Sequence, residues 1–397
     1  MRKPSEQVRP RNGSGICAAG EAVDFVHIIR AKPPGELGGA DLHVLELSAQ
    51  QLTRGERVLV VCLGPAEVCT SLRDRGVPHL QIASMSMVRW IVALRSVPLV
   101  HPPVVLHSHG YRADIVAMLM RLVVHGRRRW TWAATVHGFI RTSPGLRVLT
   151  WVDELLLRRA DLVIAVSAAE ARRLSGLLSR PVELVPNGVA PRLQAPRREG
   201  RARLGSSDPS RRLVAFVGRL SPEKRPDLFM EMAVIVARED PTADFAILGT
   251  GPMLRELQKR SDARLAGRVL FAGLVPDAAA LMSALEVLVC PSDHEGTPRV
   301  VIEAMLAGVP VVATRVGGVP DLLMDLRTGL LVEPGSAAAL AAAVLSLLRD
   351  PVSARSIGAT AKEDATERFS AHRMEARTHL AYLGLLEKRA PHLAAAR

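Results

Sequence analysis

The chain has 397 residues, 48% apolar and 23% charged, with a formal net charge of +13. That length exceeds one ordinary core and suits two domains, and no apolar run is long enough to span a membrane. Four cysteines (Cys17, Cys62, Cys69, Cys290) show neither a paired framework nor a CxxC spacing, so a disulfide scaffold is excluded and a cytoplasmic enzyme is expected.

The opening MRKPSEQVRPRNGSG is basic and no apolar h-region follows it, so no secretory signal is read and residues 1–23 are expected to be a flexible arm. NGSGICAAG at 12–20 lacks GxGxxG spacing and precedes the first strand, so it is no dinucleotide fingerprint. From 24 to 190, β-branched runs alternate with helical patterns: FVHIIR (25–30), RVLVVCL (57–63), VVLHSH (104–109), TWAATVH (131–137), DLVIAVS (161–167) and VELVPN (182–187), with a helix over Ala40–Arg54. His107 and His109 share one strand and are read as pointing to opposite faces, so at most one is expected to meet a cleft. MSMVRWIVALR (85–95) and HGRRRWTW (125–132) read equally as a membrane-touching patch or as a buried helix beside a basic surface. Residues 1–200 hold 27 Lys+Arg against 16 Asp+Glu, whereas 201–397 hold 25 against 23. The basic excess of the first half suits an anionic partner, while the 46 arginines against 6 lysines suit a composition bias equally well.

Residues 191–212, rich in Pro, Arg, Gly and Ser, have linker composition. The strand rhythm then repeats over 213–370 with LVAFVG, DFAILG, RVLFAG, VLVCPS, PVVAT and GLLVE, and an amphipathic closing helix and tail occupy 371–397. The expected fold is α/β, two doubly wound Rossmann-like domains facing across a cleft, with functional residues after the strand ends.

HEGTPRVVIE (294–303) carries the chemistry. Thr297 suits an N-cap and Pro298 the first turn of a helix that runs to Ala307 and stops at Gly308. Glu295 then precedes the helix and Glu303 lies inside it, while the N–H groups from Gly296 onward form an anion cradle. About 12 Å would separate two such residues along a helix, more than a glycoside hydrolase pair needs. Carboxylates beside an anion site suit a ligand with both phosphates and hydroxyls. In VGRLSPEKRPD (217–227), Gly218 ends a strand and presents Arg219 and Lys224, which can offset a departing diphosphate without metal. No Asp-x-Asp occurs, so no metal of that kind is expected.

GGADLHV (38–44), TVHG (135–138), VPNGV (185–189), GRLSPEK (218–224), GTGP (249–252), the E-x7-E of 295–303 and GVPVVATRVGGVPDL (308–322) resemble the family-4 retaining glycosyltransferases of the GT-B fold. The resemblance implies a nucleotide-diphosphate sugar, UDP- or GDP-linked, in the second domain and a glycan or lipid-linked acceptor in the first. It implies Arg219 and Lys224 on the diphosphate, Glu303 on the ribose, Glu295 on sugar hydroxyls, and His137 on the transferred sugar. Gly218, Gly249, Gly296 and Thr297 would complete the donor site, with Gly273, Leu274 and Val275 meeting the base. Gly38 and Gly39 would cover the reacting centre, with His109 as a further acceptor-side candidate. Thr297 stands where a large apolar residue is frequent in the family, and Asp41 where glutamate is. The transferase would need no cofactor, and a role in cell-surface polysaccharide or glycolipid synthesis is expected, on or near the inner membrane face. Two rivals share the architecture: a sugar-nucleotide epimerase, and a non-catalytic sugar-nucleotide-binding or partner module. Nucleic acid is not expected as a partner, because aromatic residues are few and no recognition motif occurs.

Overall fold

The computed structural model describes residues 23–30, 37–64, 68–82, 104–123, 130–138, 144–206, 208–265 and 267–389. The N-terminal arm up to residue 22, the MSMVRWIVALR stretch and residues 125–129 of HGRRRWTW lie outside the described residues.

Two parallel sheets organise the chain. The first holds β1 (Phe25–Arg30), β2 (Val58–Leu63), β3 (His79–Ile82), β4 (Val104–His109), β5 (Trp130–Val136), β6 (Leu162–Ala165) and β7 (Glu183–Leu184), in the order β3-β2-β1-β4-β5-β6-β7. The second holds β8 (Arg212–Val217), β9 (Ala243–Leu248), β10 (Val269–Gly273), β11 (Val287–Cys290), β12 (Val311–Thr314) and β13 (Leu330–Val332), in the order β10-β9-β8-β11-β12-β13. Every residue of β2 and of β11 is buried, as expected where helices cover both faces of a parallel sheet. Strand order reverses between β1 and β4 and between β8 and β11, and at such switch points a crevice opens at the carboxyl ends of the strands.

Two elements depart from the sequence reading, and a third acquires a docking site that the sequence left open. β3, HLQI, was not anticipated, because four residues without a β-branched run give little strand signal. The segment read as a linker carries a helix, Arg197–Arg203, folded onto the second domain. It has no apolar stripe; instead buried Arg201 donates to both Glu286 oxygens at 2.7 and 2.9 Å and to the Arg211 carbonyl at 2.6 Å. The closing helix, Ala371–Arg389, packs on the first domain, against helix Gly39–Thr53. There Tyr382 is buried, stacks on Phe25 with centroids 5.0 Å apart, and places its hydroxyl 2.5 Å from His107 Nδ1. No single helix among the described residues is long and apolar enough to cross a membrane.

Candidate active site

A cleft of about 1270 Å³ lies between the carboxyl ends of the two sheets and draws its walls from both domains. Gly38, Gly39, His137, Gly218, Arg219, Lys224, Gly249, Leu274, Val275, Glu295, Gly296, Thr297 and Glu303 all line it. Two anticipated residues stand apart. Gly273 is not among the lining residues, and its carbonyl accepts from the Gly249 N–H at 2.7 Å. His109 is buried inside β4, behind His137, rather than on an acceptor-facing loop. His107 and His109 also share one face, their rings 4.2 Å apart, because side chains two positions apart on a strand point the same way.

Close backbone approach shapes the floor. A Cβ on Gly249 would stand 1.9 Å from the Gly218 carbonyl oxygen, and one on Gly296 would stand 2.4 Å from the His137 carbonyl oxygen. Gly296 therefore brings the start of helix Arg299–Ala307 against the first domain at the end of β5. The cap differs from the expected one. Pro298 occupies the N-cap position, and Thr297 Oγ1 donates across the cleft to the Val166 carbonyl instead. At the other end Gly308 stops the helix at φ +74°, in the left-handed region.

The charges are arranged as a mutual balance. Lys224, in a 3-10 turn after β8, reaches both Glu295 oxygens at 2.7 Å. Burial works against the Lys224 ammonium, but the Glu295 carboxylate outweighs it and holds the pKa above the ordinary lysine value. Ser292 also donates to Glu295, at 2.7 Å. Beneath the pair, burial pushes the Cys290 thiol up to about 12, so it is not a thiolate. Glu303, on the inner helix, is raised by burial against the pull of Arg299, 3.8 Å away. Arg299 is itself 7% exposed, donates to the Gly188 carbonyl at 2.9 Å, and lies 3.9 Å from buried Glu46 of the first domain. Sequence reasoning missed Arg299 and Glu46 because their contact joins separate domains.

A cluster of five imidazoles, four of them buried, runs inward from His137 on the first-domain wall. His137 Nε2 lies 3.3 Å from His109 Nδ1, His109 Nε2 lies 3.1 Å from His27 Nδ1, and His27 Nε2 donates to Gln51 Oε1 at 2.7 Å. His43, on helix Gly39–Thr53, packs edge-on to His137 with centroids 4.7 Å apart. Burial lowers all five pKa values, those of His27 and His137 to about 4, so these rings are neutral near pH 7. His43 and His27 were not singled out in the sequence; helical and strand registers that bring positions 27, 43, 107, 109 and 137 together leave no local motif.

Two family models match. Residues 37–193 match Glycosyltransferase Family 4 and residues 211–350 match Glycosyl transferases group 1. The chain is 30% identical over 376 residues to an alpha-maltose-1-phosphate synthase of Mycolicibacterium smegmatis, covering 86% of this chain and 94% of that one. It is 29% identical over 358 residues to the lipopolysaccharide core biosynthesis mannosyltransferase LpsB of Rhizobium meliloti, with the same coverage of 86% and 94%. Among solved structures, HepE from Anabaena in complex with UDP-glucose superposes with a TM-score of 0.79 at 22% identity, covering 91% of this chain and 99% of that one. Sucrose-phosphate synthase from Thermosynechococcus elongatus gives 0.78 at 21% identity, covering 92% and 100%. With its paired parallel sheets and interdomain cleft, the chain belongs to the family-4, group 1 glycosyltransferases of the GT-B fold.

Proposed function

We propose that the chain is a retaining glycosyltransferase that takes a UDP- or GDP-sugar in the second-domain half of the cleft and transfers the sugar to an acceptor hydroxyl presented by the first. The Lys224–Glu295 pair carries this reading. A lysine and a glutamate that compensate one another in the free protein become available together when a ligand brings phosphates for the first and hydroxyls for the second. Arg219 and Lys224, with the backbone N–H groups at the start of helix Arg299–Ala307, would carry the diphosphate charge. Glu303 would accept from the ribose hydroxyls, and Leu274 and Val275 would flank the base.

In the reaction, the bond from the anomeric carbon to the diphosphate oxygen breaks while the bond to the acceptor oxygen forms on the same face. The acceptor's proton passes to the departing diphosphate, whose charge Arg219 and Lys224 offset. No step requires a side-chain nucleophile, a cofactor or a metal on the diphosphate. His137, neutral and at the cleft wall, would contact the transferred sugar by hydrogen bonding.

The acceptor is proposed to be a glycan or lipid-linked saccharide met at an anionic membrane surface. Support comes from exposed apolar side chains on the packed helices Tyr111–Val123 and Pro144–Leu157, where Leu122, Val148, Trp151 and Leu155 are exposed by 44% to 61%. Flotation with phosphatidylglycerol vesicles tests this, and equal recovery with neutral vesicles refutes the membrane part alone.

A thermal-shift panel of UDP- and GDP-sugars against wild type and Glu303→Ala tests the donor site. One donor should stabilise the wild type and not the variant. No shift with any sugar nucleotide at millimolar concentration would favour a non-catalytic module.

A further inference from the structure

Hydrogen bonds around His43 determine its tautomer. Asn187 Nδ2 donates to the Thr297 carbonyl at 2.9 Å, which turns Asn187 Oδ1 toward His43 Nδ1 at 2.8 Å. That oxygen only accepts, so Nδ1 carries the proton and His43 Nε2 presents a bare lone pair. The ring is 1% exposed, and this Nε2 has no hydrogen-bond partner. A buried orphan of this kind costs stability unless something occupies it. On the neighbouring strand the chain from Gln51 through His27 assigns the His109 proton to Nε2, leaving Nδ1 bare toward His137.

We propose that His43, His109 and His137 form a binding site for one divalent transition-metal ion, zinc above all, in the cleft wall. One ring nitrogen from each lies within 4.8 Å of the others. The His109 Nδ1 to His137 Nε2 separation of 3.3 Å matches the edge of a tetrahedral zinc–imidazole site, about 3.3 to 3.4 Å for zinc–nitrogen bonds of about 2.0 to 2.1 Å. Each inner nitrogen is oriented by a hydrogen bond at the far side of its ring, Asn187 for His43 and His27 for His109, which is the outer support that metal-binding histidines need. Three neutral nitrogen donors suit zinc, nickel, cobalt or copper and not magnesium or calcium. The second histidine triad, His27, His107 and His109, does not compete, because both His107 nitrogens are committed, to Tyr382 at 2.5 Å and Thr135 at 2.7 Å.

Because His137 lines the cleft, the site opens on it there, and a fourth ligand can enter from that side. Resting on the proposed contact between His137 and the transferred sugar, metal bound at His137 Nε2 fixes the ring toward His109 and inhibits transfer. The ion is thus a regulator of the first-domain wall, separate from the diphosphate.

The experiment titrates metal-free protein with CoCl2 and follows visible absorption. An intense ligand-field band saturating at one cobalt per chain, displaced by ZnCl2, is expected. Folded His43→Gln should lose the band, and Asn187→Leu should weaken binding by about 10- to 100-fold. No band in the wild type, or an unchanged band in folded His43→Gln, overturns the site. X-ray absorption of zinc-loaded wild type needs no variant: three imidazoles support the assignment, and fewer overturn it. These readouts use no sugar donor, so they stand independently of the transferase reading. Zinc that binds as described yet leaves transfer unslowed overturns the inhibitory role.

Discussion

Lys224 Nζ lies 2.7 Å from both carboxylate oxygens of Glu295, so one ammonium is shared symmetrically between them across 71 residues of sequence. The pair joins the turn after β8 to the loop after β11, the two strands that flank the switch point of the second sheet. Removing the lysine should damage chemistry more than folding, because its side chain is 31% exposed and its charge is most needed as the diphosphate leaves. Lys224→Ala is expected to lower kcat by about 100- to 1000-fold and, because Glu295 with a 6% exposed side chain loses its counter-charge, to lower the thermal midpoint without preventing folding. Steady-state transfer with the donor identified by thermal shift checks this.

Arg299 predicts the opposite balance. It is a buried cation set between Glu303 and Glu46, and it also holds the Gly188 carbonyl. Arg299→Ala takes from Glu303 its paired cation, while Glu46 keeps Arg75 at 3.2 Å and Arg192 at 3.5 Å, and it should cost about 3 kcal/mol. Arg219→Ala, at an exposed position, should cost less than about 0.5 kcal/mol. Urea unfolding of both variants gives the comparison directly.

Gly296→Ala tests the contact between domains. The added methyl would meet the His137 carbonyl oxygen at 2.4 Å, and backbone on both sides must move. Transfer should fall at least 10-fold, since even an ångström of misplacement is costly, with far-UV circular dichroism unchanged. Activity near wild type would show that the contact is dispensable.

The imidazole cluster makes stability depend on pH in a definite sense. His27 and His137 fall from 6.5 to about 4 in the folded chain, so between those values the unfolded chain binds more protons. Stability is therefore full above about pH 6.5 and is lost as pH falls toward 4, at a cost of about 3 kcal/mol for each such group. Lys224 acts at the other end. Its raised pKa means that its contribution is present below the ordinary lysine value and disappears only as pH rises through the folded value. Urea midpoints at pH 7.5 and 5.0, with chelator present, should differ clearly, and a flat response would contradict the buried, neutral cluster.

Much of the second domain was legible in the sequence. LVAFVG, VLVCPS and PVVAT are β-branched runs bounded by turn residues, and the glycine, threonine and proline of HEGTPRVVIE announce a helix start within one residue of the observed Arg299. Legibility ended where side chains rather than patterns do the holding. The helix Arg197–Arg203 is anchored by a buried guanidinium, which composition reads as linker. Thr297 looked like a cap and bonds instead to Val166, 131 residues away in sequence. His27 and His109 touch across 82 residues, a contact that only the β1–β4 pairing creates.

The closing helix also has a bearing on synthesis. Tyr382 completes the surroundings of His107, 275 residues earlier, and stacks on Phe25 at the very start of the first sheet. On the ribosome, the first domain emerges long before this cover exists and must persist with part of its histidine cluster and apolar surface unsealed. The helix that covers the first domain follows the whole of the second in chain order, so the domain begun earlier cannot be sealed until both sheets have left the ribosome.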